Sequence, residues 1–495
     1  MKLNRSSGIL LPIFSLPSAH GIGTLGQAAY DFIDFLADAN QSWWQILPVG
    51  PTSYGDSPYQ CYSTFAGNPY FVDLDLLVED GLLTQRELKG VDWGDTESAV
   101  DYGRLYENRF PLLRKAAARG MEKYAREFAA FRAENARWLD DYALFMAIKK
   151  DQKGKSWTEW PKTLGCRDKQ ALKVMAEKLH ESIGYEKFLQ YLFHTQWQRL
   201  HDYAGGHGIS IMGDMPIFIS HDSADVWANQ SLFDLNPDGT SKTVAGVPPD
   251  YFSATGQLWG NPQYNWQAME KENYDWWKKR FRKLYELVDI VRIDHFRGFE
   301  SYWEVDGKAE TAINGRWVKG PCKPFFDEIK KELGHMPIVA EDLGIITDEV
   351  EALRDACGFP GMKVLHFTLH FGDMGRFGFV APENSIVYTG THDNNTTVGW
   401  YLHDVDNAMR AAVAYLLGAR GDRPREVCER LVEFAYASDA RLAMVPMQDL
   451  LAMDERNRMN TPGTVGLNWK WCLKPGYLME VDTKRLRELC VRYER

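Results

Sequence analysis

The sequence predicts a (β/α)8 barrel with large insertions, and three observations lead to that fold class. Eight short apolar runs, each bounded by turn residues, are distributed over the 495 residues. Helical patterns lie between several of the runs, and four runs carry an acidic residue at or near their carboxyl end. Buried parallel strands read as continuous apolar runs, and strands that alternate with helices favour a barrel whose site lies at the strand ends.

The predicted strands are the apolar runs, and the predicted helices are the segments with apolar residues at helical spacing. The strands are residues 8–13, 43–49, 209–218, 289–296, 337–343, 362–368, 385–391 and 441–450. The helices are residues 27–39, 185–203, 274–287, 347–356, 405–417 and 423–437. The run near the N-terminus resembles a signal peptide, but Pro12 and Pro17 interrupt it, so we predict a strand there.

Two connections are too long for a simple crossover between strands. Residues 50–208 contain charged, helix-prone stretches, and we predict a mostly helical insertion. Residues 219–288 are rich in Pro, Gly and aromatic residues, and we predict a long functional loop over the active site. Only about 45 residues follow Leu450, too few for a further β-sandwich, so we expect residues 1–495 to form a single catalytic barrel.

Composition excludes several classes of partner. The net charge is −11 and no basic block is present, which argues against nucleic acid and anionic membranes. No apolar stretch approaches the roughly 20 residues that span a bilayer. The seven cysteines are odd in number, scattered and without a CxxC pair, which argues against zinc and disulfides and predicts a reducing cytoplasm. Aromatic residues make up 13% of the chain and suit a sugar ring, although aromatic packing in a large core is the simpler explanation.

The fourth predicted strand ends in Arg292-Ile293-Asp294-His295. Side chains two residues apart on a strand point to the same face, so Arg292 and Asp294 are expected to lie side by side. A neighbouring guanidinium keeps a carboxylate ionised, and an ionised carboxylate in a pocket can act as a nucleophile. A purely structural Arg–Asp pair is the alternative and, for this motif alone, the more common one.

The fifth predicted strand ends in Ala340-Glu341-Asp342. A carboxyl group among apolar residues and other acids has a raised pKa, which lets it donate a proton and later retrieve it. We therefore predict that Glu341 is a general acid and base. Asp342 is better placed to cap the segment that follows.

Two further acids complete the set. In Thr391-His392-Asp393-Asn394, His392 can bind sugar hydroxyls and Asp393 can hold hydroxyls or stabilise positive charge at an anomeric carbon. A polar turn is the alternative for that segment. Asp214 adds an acid near the end of the third run.

Two reaction classes fit these four acids. In a retaining glycoside reaction, a nucleophile and an acid lie about 5–5.5 Å apart. In a metal-dependent barrel, Asp214, Asp294 and Glu341 would bind Mg²⁺. Arg292 opposes a divalent cation beside Asp294, so we favour glycoside chemistry and expect no metal and no other cofactor.

Taken together, the motifs resemble the 4-α-glucanotransferase family, the amylomaltases or disproportionating enzymes of the glycoside hydrolase family 77 type in the α-amylase clan. The resemblance covers nearly the whole chain, and near the C-terminus Cys472 stands where the family usually has Arg. The segments that carry it lie at residues 57–60, 213–217, 246–252, 256–262, 292–298, 340–344, 390–394 and 458–464.

The resemblance implies roles for the acids. Asp294 would be the nucleophile, Glu341 the acid/base and Asp393 the transition-state stabiliser. Tyr59 would stack on the donor sugar, and Asp250 and Trp259 would lie on a loop over the acceptor side. The full set of substrate-binding residues implied by the resemblance is Arg292, His392, Asp214, Ser57, Tyr59, Asp250, Gln257, Trp259 and Asn460.

The resemblance also implies an activity, which is transfer of an α-1,4-glucan segment between maltooligosaccharides or glucans derived from starch or glycogen. We expect a monomer or a weak homo-oligomer. The aromatic residues Tyr251, Phe252 and Trp259 would exclude water until an acceptor binds. An α-glucan hydrolase with the same acids, and a glucan-binding protein without catalytic activity, are the alternatives.

Overall fold

The computed structural model describes residues 3–53, 55–94, 99–249, 253–371 and 377–495. Its strands, in chain order, are β1 (Ser6–Leu10), β2 (Trp43–Gln45), β3 (Ser210–Pro216), β4 (Thr243–Val247), β5 (Gln257–Pro262), β6 (Ile290–Asp294), β7 (Ser301–Asp306), β8 (Gly315–Lys319), β9 (Ile338–Ala340), β10 (Gly361–Val364), β11 (His370–Phe371), β12 (Phe377–Gly378), β13 (Ser385–Tyr388) and β14 (Leu442–Pro446).

Eight of these strands form one parallel sheet in the order β10-β13-β14-β1-β2-β3-β6-β9. The backbone N–H of Ala340 donates to the carbonyl of Pro360 at 2.9 Å, which brings β9 to the start of β10 and joins the two ends of the sheet. Each of the eight predicted runs overlaps one of these strands. The predicted (β/α)8 barrel is therefore confirmed.

The helices of the structure include one that overlaps each of the six predicted helices, as well as others, such as Cys322–Leu333, that were not predicted. In chain order they are α1 (Gln27–Asp38), α2 (Leu74–Glu79), α3 (Gln85–Leu88), α4 (Tyr102–Lys123), α5 (Ala125–Asp151), α6 (Lys162–Gly165), α7 (Lys169–Lys178), α8 (His180–Gly206), α9 (Ala224–Ala228), α10 (Trp266–Lys271), α11 (Asp275–Tyr285), α12 (Cys322–Leu333), α13 (Asp348–Cys357), α14 (Leu365–Thr368), α15 (Thr397–Gly399), α16 (Asn407–Leu417), α17 (Pro424–Ala437), α18 (Met447–Leu450) and α19 (Thr483–Arg492). In the part of the chain that the structure describes, none of these helices is both long and apolar enough to cross a bilayer.

The connection between β2 and β3 holds α2 to α8, so it is mostly helical. The segment 219–288 differs from the loop that the sequence suggested, because it contains β4 and β5 as well as short helices. These two strands join β7 and β8 in a four-stranded antiparallel sheet of order β5-β4-β7-β8. The strands β7 and β8 follow the fourth barrel strand, so this sheet unites two separate insertions.

The core is divided by the barrel wall. Alternate side chains of the strands point inward, and the inner cluster includes Met212, Ile290, Val339, Tyr388 and Met444. Their neighbours in sequence point outward and pack on the surrounding helices. Polar side chains that continue the inward rows beyond this cluster therefore emerge at the carboxyl edge of the barrel.

Candidate active site

Three neighbouring strands bring three acids to the same edge. The strands β3, β6 and β9 are adjacent in the barrel, and Asp214 pairs in register with Arg292 on β6. Arg292 follows Ile290 on the inward row, so its guanidinium lies inside the barrel mouth. Its Nη1 donates to Asp214 Oδ2 at 2.6 Å and to Asp294 Oδ1 at 3.1 Å. The predicted Arg292–Asp294 pair is present, and Asp214 shares it.

Arg292 occupies the position between two carboxylates that a divalent cation would need. Its side chain is 3% exposed, so the positive charge is fixed there. Among the described residues, no group of three or more His, Cys, Asp or Glu side chains has the arrangement of a metal site.

Glu341 follows β9 directly, and two backbone N–H groups hold its carboxyl group. His295 N donates to Oε2 at 2.7 Å, and Leu343 N donates to Oε1 at 2.9 Å. His295 has a φ of 54°, and this left-handed turn comes directly after Asp294. Burial raises the pKa of Glu341 to about 7, although Arg292 and the two backbone donors act in the opposite direction. A group with this pKa can hold a proton near neutral pH.

Burial also raises the pKa of Asp294, and the negative charges of Asp214, Glu341 and Asp393 act in the same direction. The Arg292 guanidinium opposes them through its direct contact. Asp294 and Glu341 interact, so their protons belong to the pair rather than to either residue alone. The ion pair favours the negative charge on Asp294 and the proton on Glu341.

Tyr59 covers the buried charges with a stacked pair of rings. Its hydroxyl donates to Asp214 Oδ2 at 2.8 Å and lies 2.7 Å from His392 Nε2. Because the single phenolic proton goes to the carboxylate, His392 Nε2 must carry the proton in its own contact with Tyr59. The rings of Tyr59 and His392 stack with centroids 5.4 Å apart, and Trp469 lies 5.7 Å from Tyr59. Burial lowers the pKa of His392, which keeps this imidazole neutral.

Asp393 follows β13 and lies next to His392. Asn460 Nδ2 donates to its Oδ1 at 2.6 Å, and Arg458 Nη2 donates to its backbone carbonyl at 2.8 Å. The Asp393 side chain is 43% exposed, and its Oδ2 lies 3.4 Å from His392 Nε2. This carboxylate is therefore oriented by an amide yet open to a ligand.

These groups open into one cleft with a volume of about 3110 Å³. Asp294, Glu341, Asp393, Tyr59 and Arg292 line it together with Ser57, Gln257, Trp259 and Asn460. Ser57 Oγ accepts the Tyr59 N–H at 3.3 Å, and Trp259 Nε1 donates to Gln257 Oε1 at 3.2 Å. The Trp259 ring meets the His295 ring edge-on at 4.8 Å. Residues that are far apart in sequence thus form one wall.

Two residues expected to bind substrate lie deeper than the sequence suggested. The side chains of Asp214 and His392 are 0% and 1% exposed, and they contact Arg292 and Tyr59. Asp250, with Tyr251 and Phe252, lies outside the described residues.

Sequence reasoning missed three contributors, which are Trp469, Arg458 and the backbone N–H of His295. Arg458 stands in the segment 458–464 that carries the resemblance, and Trp469 lies three residues before Cys472, but no spacing rule connects either residue with the acids. The role of the His295 N–H depends on the turn after β6, which has no side-chain signal.

The sequence matches of the chain identify its family. Residues 11–478 match the model of the 4-alpha-glucanotransferase family. The chain belongs to this family. A 4-alpha-glucanotransferase of Streptococcus pneumoniae is 47% identical over 494 residues, which cover 99% of this chain and 97% of the relative. The 4-alpha-glucanotransferase of Thermus thermophilus is 46% identical over 504 residues, which cover 100% of both chains.

A solved structure agrees with this assignment. The amylomaltase from Streptococcus agalactiae in complex with acarbose superposes with a TM-score of 0.95 at 40% identity, and 99% of each chain is covered. The predicted resemblance to the 4-alpha-glucanotransferases is therefore confirmed for both the sequence and the fold.

Proposed function

We propose that this protein transfers an α-1,4-glucan segment from a donor maltooligosaccharide to the 4-hydroxyl of an acceptor, with retention at the anomeric carbon. One observation carries the proposal, which is the pairing of Asp294 with Arg292 beside Glu341, a carboxyl group with a pKa of about 7. An ionised carboxylate next to a protonated one is the arrangement that a double displacement needs.

In the first step, an Asp294 oxygen bonds to the anomeric carbon and the bond to the glycosidic oxygen breaks. Glu341 gives its proton to that oxygen, so the leaving chain departs with a new 4-hydroxyl. Arg292 holds Asp294 as an anion until it attacks.

In the second step, the 4-hydroxyl of an acceptor attacks the anomeric carbon and gives its proton to Glu341. The bond to Asp294 breaks, and the carboxylate returns to Arg292. Two inversions restore the α configuration, and the next turnover starts with the same charges.

Asp393 is proposed to bind hydroxyls of the reacting sugar and to stabilise its positive charge in the transition state. Its exposed carboxylate and its Asn460 contact support that role. Tyr59 is proposed to lie under the sugar ring, with Asp214 and His392 as positioning residues that fix its hydroxyl. Trp259 is proposed to shield the intermediate from water on the acceptor side.

The proposed substrates are maltooligosaccharides and glucans derived from starch or glycogen, and the relative of known structure was solved with acarbose. The proposed compartment is a reducing cytoplasm. All seven cysteines lie in the described part of the chain, and none of them forms a disulfide.

The test is incubation of the pure protein with maltotriose alone, followed by separation of the products by length. Glucose together with a ladder of longer maltodextrins is the expected result. Glucose and maltose with nothing longer than the substrate would mean hydrolysis and overturn the transfer. An unchanged substrate would favour the glucan-binding protein.

A further inference from the structure

A second tryptophan stands on the wall of the cleft, away from the reacting acids. Trp317 lies on β8, at the edge of the four-stranded sheet, and lines the cleft. It is 41% exposed, although a large apolar ring gains free energy from burial. None of the reaction steps above uses it.

Two side chains, Arg297 and Trp303, pack against the indole ring of Trp317. The guanidinium of Arg297 lies 3.8 Å from its ring centroid, and Trp303 meets it edge-on at 5.2 Å. Arg297 is only 5% exposed and donates through Nη1 to the carbonyl of Ile345. One face of the indole is thus covered by a buried, anchored cation, and its exposed area remains for a ligand. A ring fixed in this way loses little entropy when a ligand stacks on it.

The hydrogen bond from Arg297 to Ile345 connects Trp317 to the loop that follows Glu341, the proposed acid. Ile345 belongs to the segment that follows Glu341, and Leu343 in the same segment donates its N–H to Glu341 Oε1. Leu343, Gly344, Ile345 and Trp317 all line the cleft. Because Glu341 is proposed to protonate the glycosidic oxygen, the chain beyond that oxygen lies on this side.

The sheet also sets the distance between two tryptophans of the cleft. Trp259 lies on β5 and Trp317 on β8, which are the opposite edges of the order β5-β4-β7-β8. Three strand spacings of about 4.8 Å separate the backbones of the edge strands by about 14 Å. A chain that reaches both rings must therefore be an oligosaccharide.

We propose that Trp317 stacks on a remote glucose unit of the acceptor chain and thereby favours long acceptors over short ones. The proposal rests on the acceptor side assigned to Glu341 above. A flat indole face suits the CH-rich face of a sugar ring, and such contacts contribute up to about tenfold in affinity. Because the proposed glucose unit is remote from the reacting sugar, the gain is expected for maltoheptaose and not for maltose.

The first experiment measures binding without turnover. In a Glu341→Gln background, isothermal titration calorimetry compares maltose with maltoheptaose for the parent and for Trp317→Ala. The expected result is a Kd for maltoheptaose about tenfold higher in Trp317→Ala, with a much smaller change for maltose. Equal changes for both ligands, or none, would overturn the proposal. Tyr415→Ala is the matched control, because Tyr415 is 90% exposed on α16 and does not line the cleft.

A second variant separates stacking from a structural role. Trp317→Phe keeps an aromatic face, so it is expected to restore most of the affinity for maltoheptaose. A Phe variant as weak as the Ala variant would contradict stacking.

The activity readout is the ratio of kcat/KM for maltoheptaose to kcat/KM for maltose as acceptors, which should fall about tenfold in Trp317→Ala. If the wild type only hydrolyses maltotriose, the proposed function fails. The length-dependent loss of binding then still decides the role of Trp317.

Discussion

Two glutamates with raised pKa values line the same cleft, yet only one has the surroundings of a catalytic acid. Burial raises the pKa of Glu341 and of Glu186 to about 7. Glu341 stands at the end of β9 beside Arg292 and Asp294, whereas Glu186 lies on α8, where Lys150 and Arg114 are its charged neighbours. A raised pKa therefore identifies a possible acid, but an adjacent ionised carboxylate decides whether a double displacement is possible.

The largest effect is expected when the proposed acid or nucleophile is neutralised. Glu341→Gln should lower kcat on maltotriose by about 10²- to 10⁴-fold, because no proton reaches the leaving oxygen. Asp294→Asn should remove nearly all turnover, because the covalent intermediate cannot form. Initial rates and thermal melting of the variants check both effects. Glu186→Gln is the matched control, and a comparable loss there would break the comparison.

Removal of the arginine near each glutamate should also have different effects on stability and activity. Arg292→Met leaves Asp214 without its ion pair at 0% exposure, and breaking a buried pair costs about 3–5 kcal/mol. We expect a lower Tm and a loss of activity of more than about 100-fold, because Asp294 also loses its cation. Arg114→Met removes the exposed cation that lies over Tyr185 and should change both quantities little. Melting curves and initial rates that do not separate the two variants would contradict the proposed role of Arg292.

The pH profile of the rate should be set by the titration of Glu341 and not by that of Glu186. Glu341 acts as an acid in the first step, so kcat/KM should fall as the pH rises through about 7. Glu186→Gln should keep this fall. In Glu341→Gln, the rate with a glycosyl fluoride donor should not fall as the pH rises, because the fluoride leaving group needs no proton. An alkaline fall that persists in Glu341→Gln would assign the titration to another group.

The pH dependence of stability should include a contribution from Glu186. Its pKa is about 7 in the folded protein and 4.5 as the ordinary value, so the folded state binds the proton more tightly. Its stabilising contribution is complete below pH 4.5 and is lost as the pH rises to about 7. Between pH 5 and pH 8, the free energy of unfolding in urea should decrease less in Glu186→Gln than in the wild type. The difference should be at most about 3 kcal/mol. An identical decrease in both proteins would mean that Glu186 is solvated.

The smallest effect is expected from metal removal. Dialysis against EDTA should leave the transfer rate unchanged, because the Arg292 guanidinium lies between Asp214 and Asp294. Inactivation that Mg²⁺ reverses would restore the metal-dependent barrel as the explanation of the acids.

The barrel and its acids could be predicted because the signals are local. A buried parallel strand is apolar throughout, so Asp294, Glu341 and Asp393 stand out at or just beyond the strand ends. The four-stranded sheet could not be predicted in the same way. Its strands β4 and β7 pair across more than 50 residues, and neither sequence alternates strictly between apolar and polar residues.

The burial of two site residues also could not be predicted from the sequence. Asp214 and His392 are expected to contact substrate, and the structure shows both side chains buried and hydrogen-bonded to Tyr59. Burial of a polar side chain depends on what the rest of the chain lays over it, and Tyr59 comes from an insertion about 150 residues before Asp214.

Residue types at short spacing were enough to predict the fold class, the acids at the strand ends and the family. Only the tertiary structure brings Arg292 between Asp214 and Asp294 and places the two backbone donors on Glu341. It also decided the position of Trp317 on the cleft wall. The physical reason is that desolvation and Coulomb interactions act over a few ångströms in space, whatever the separation along the chain.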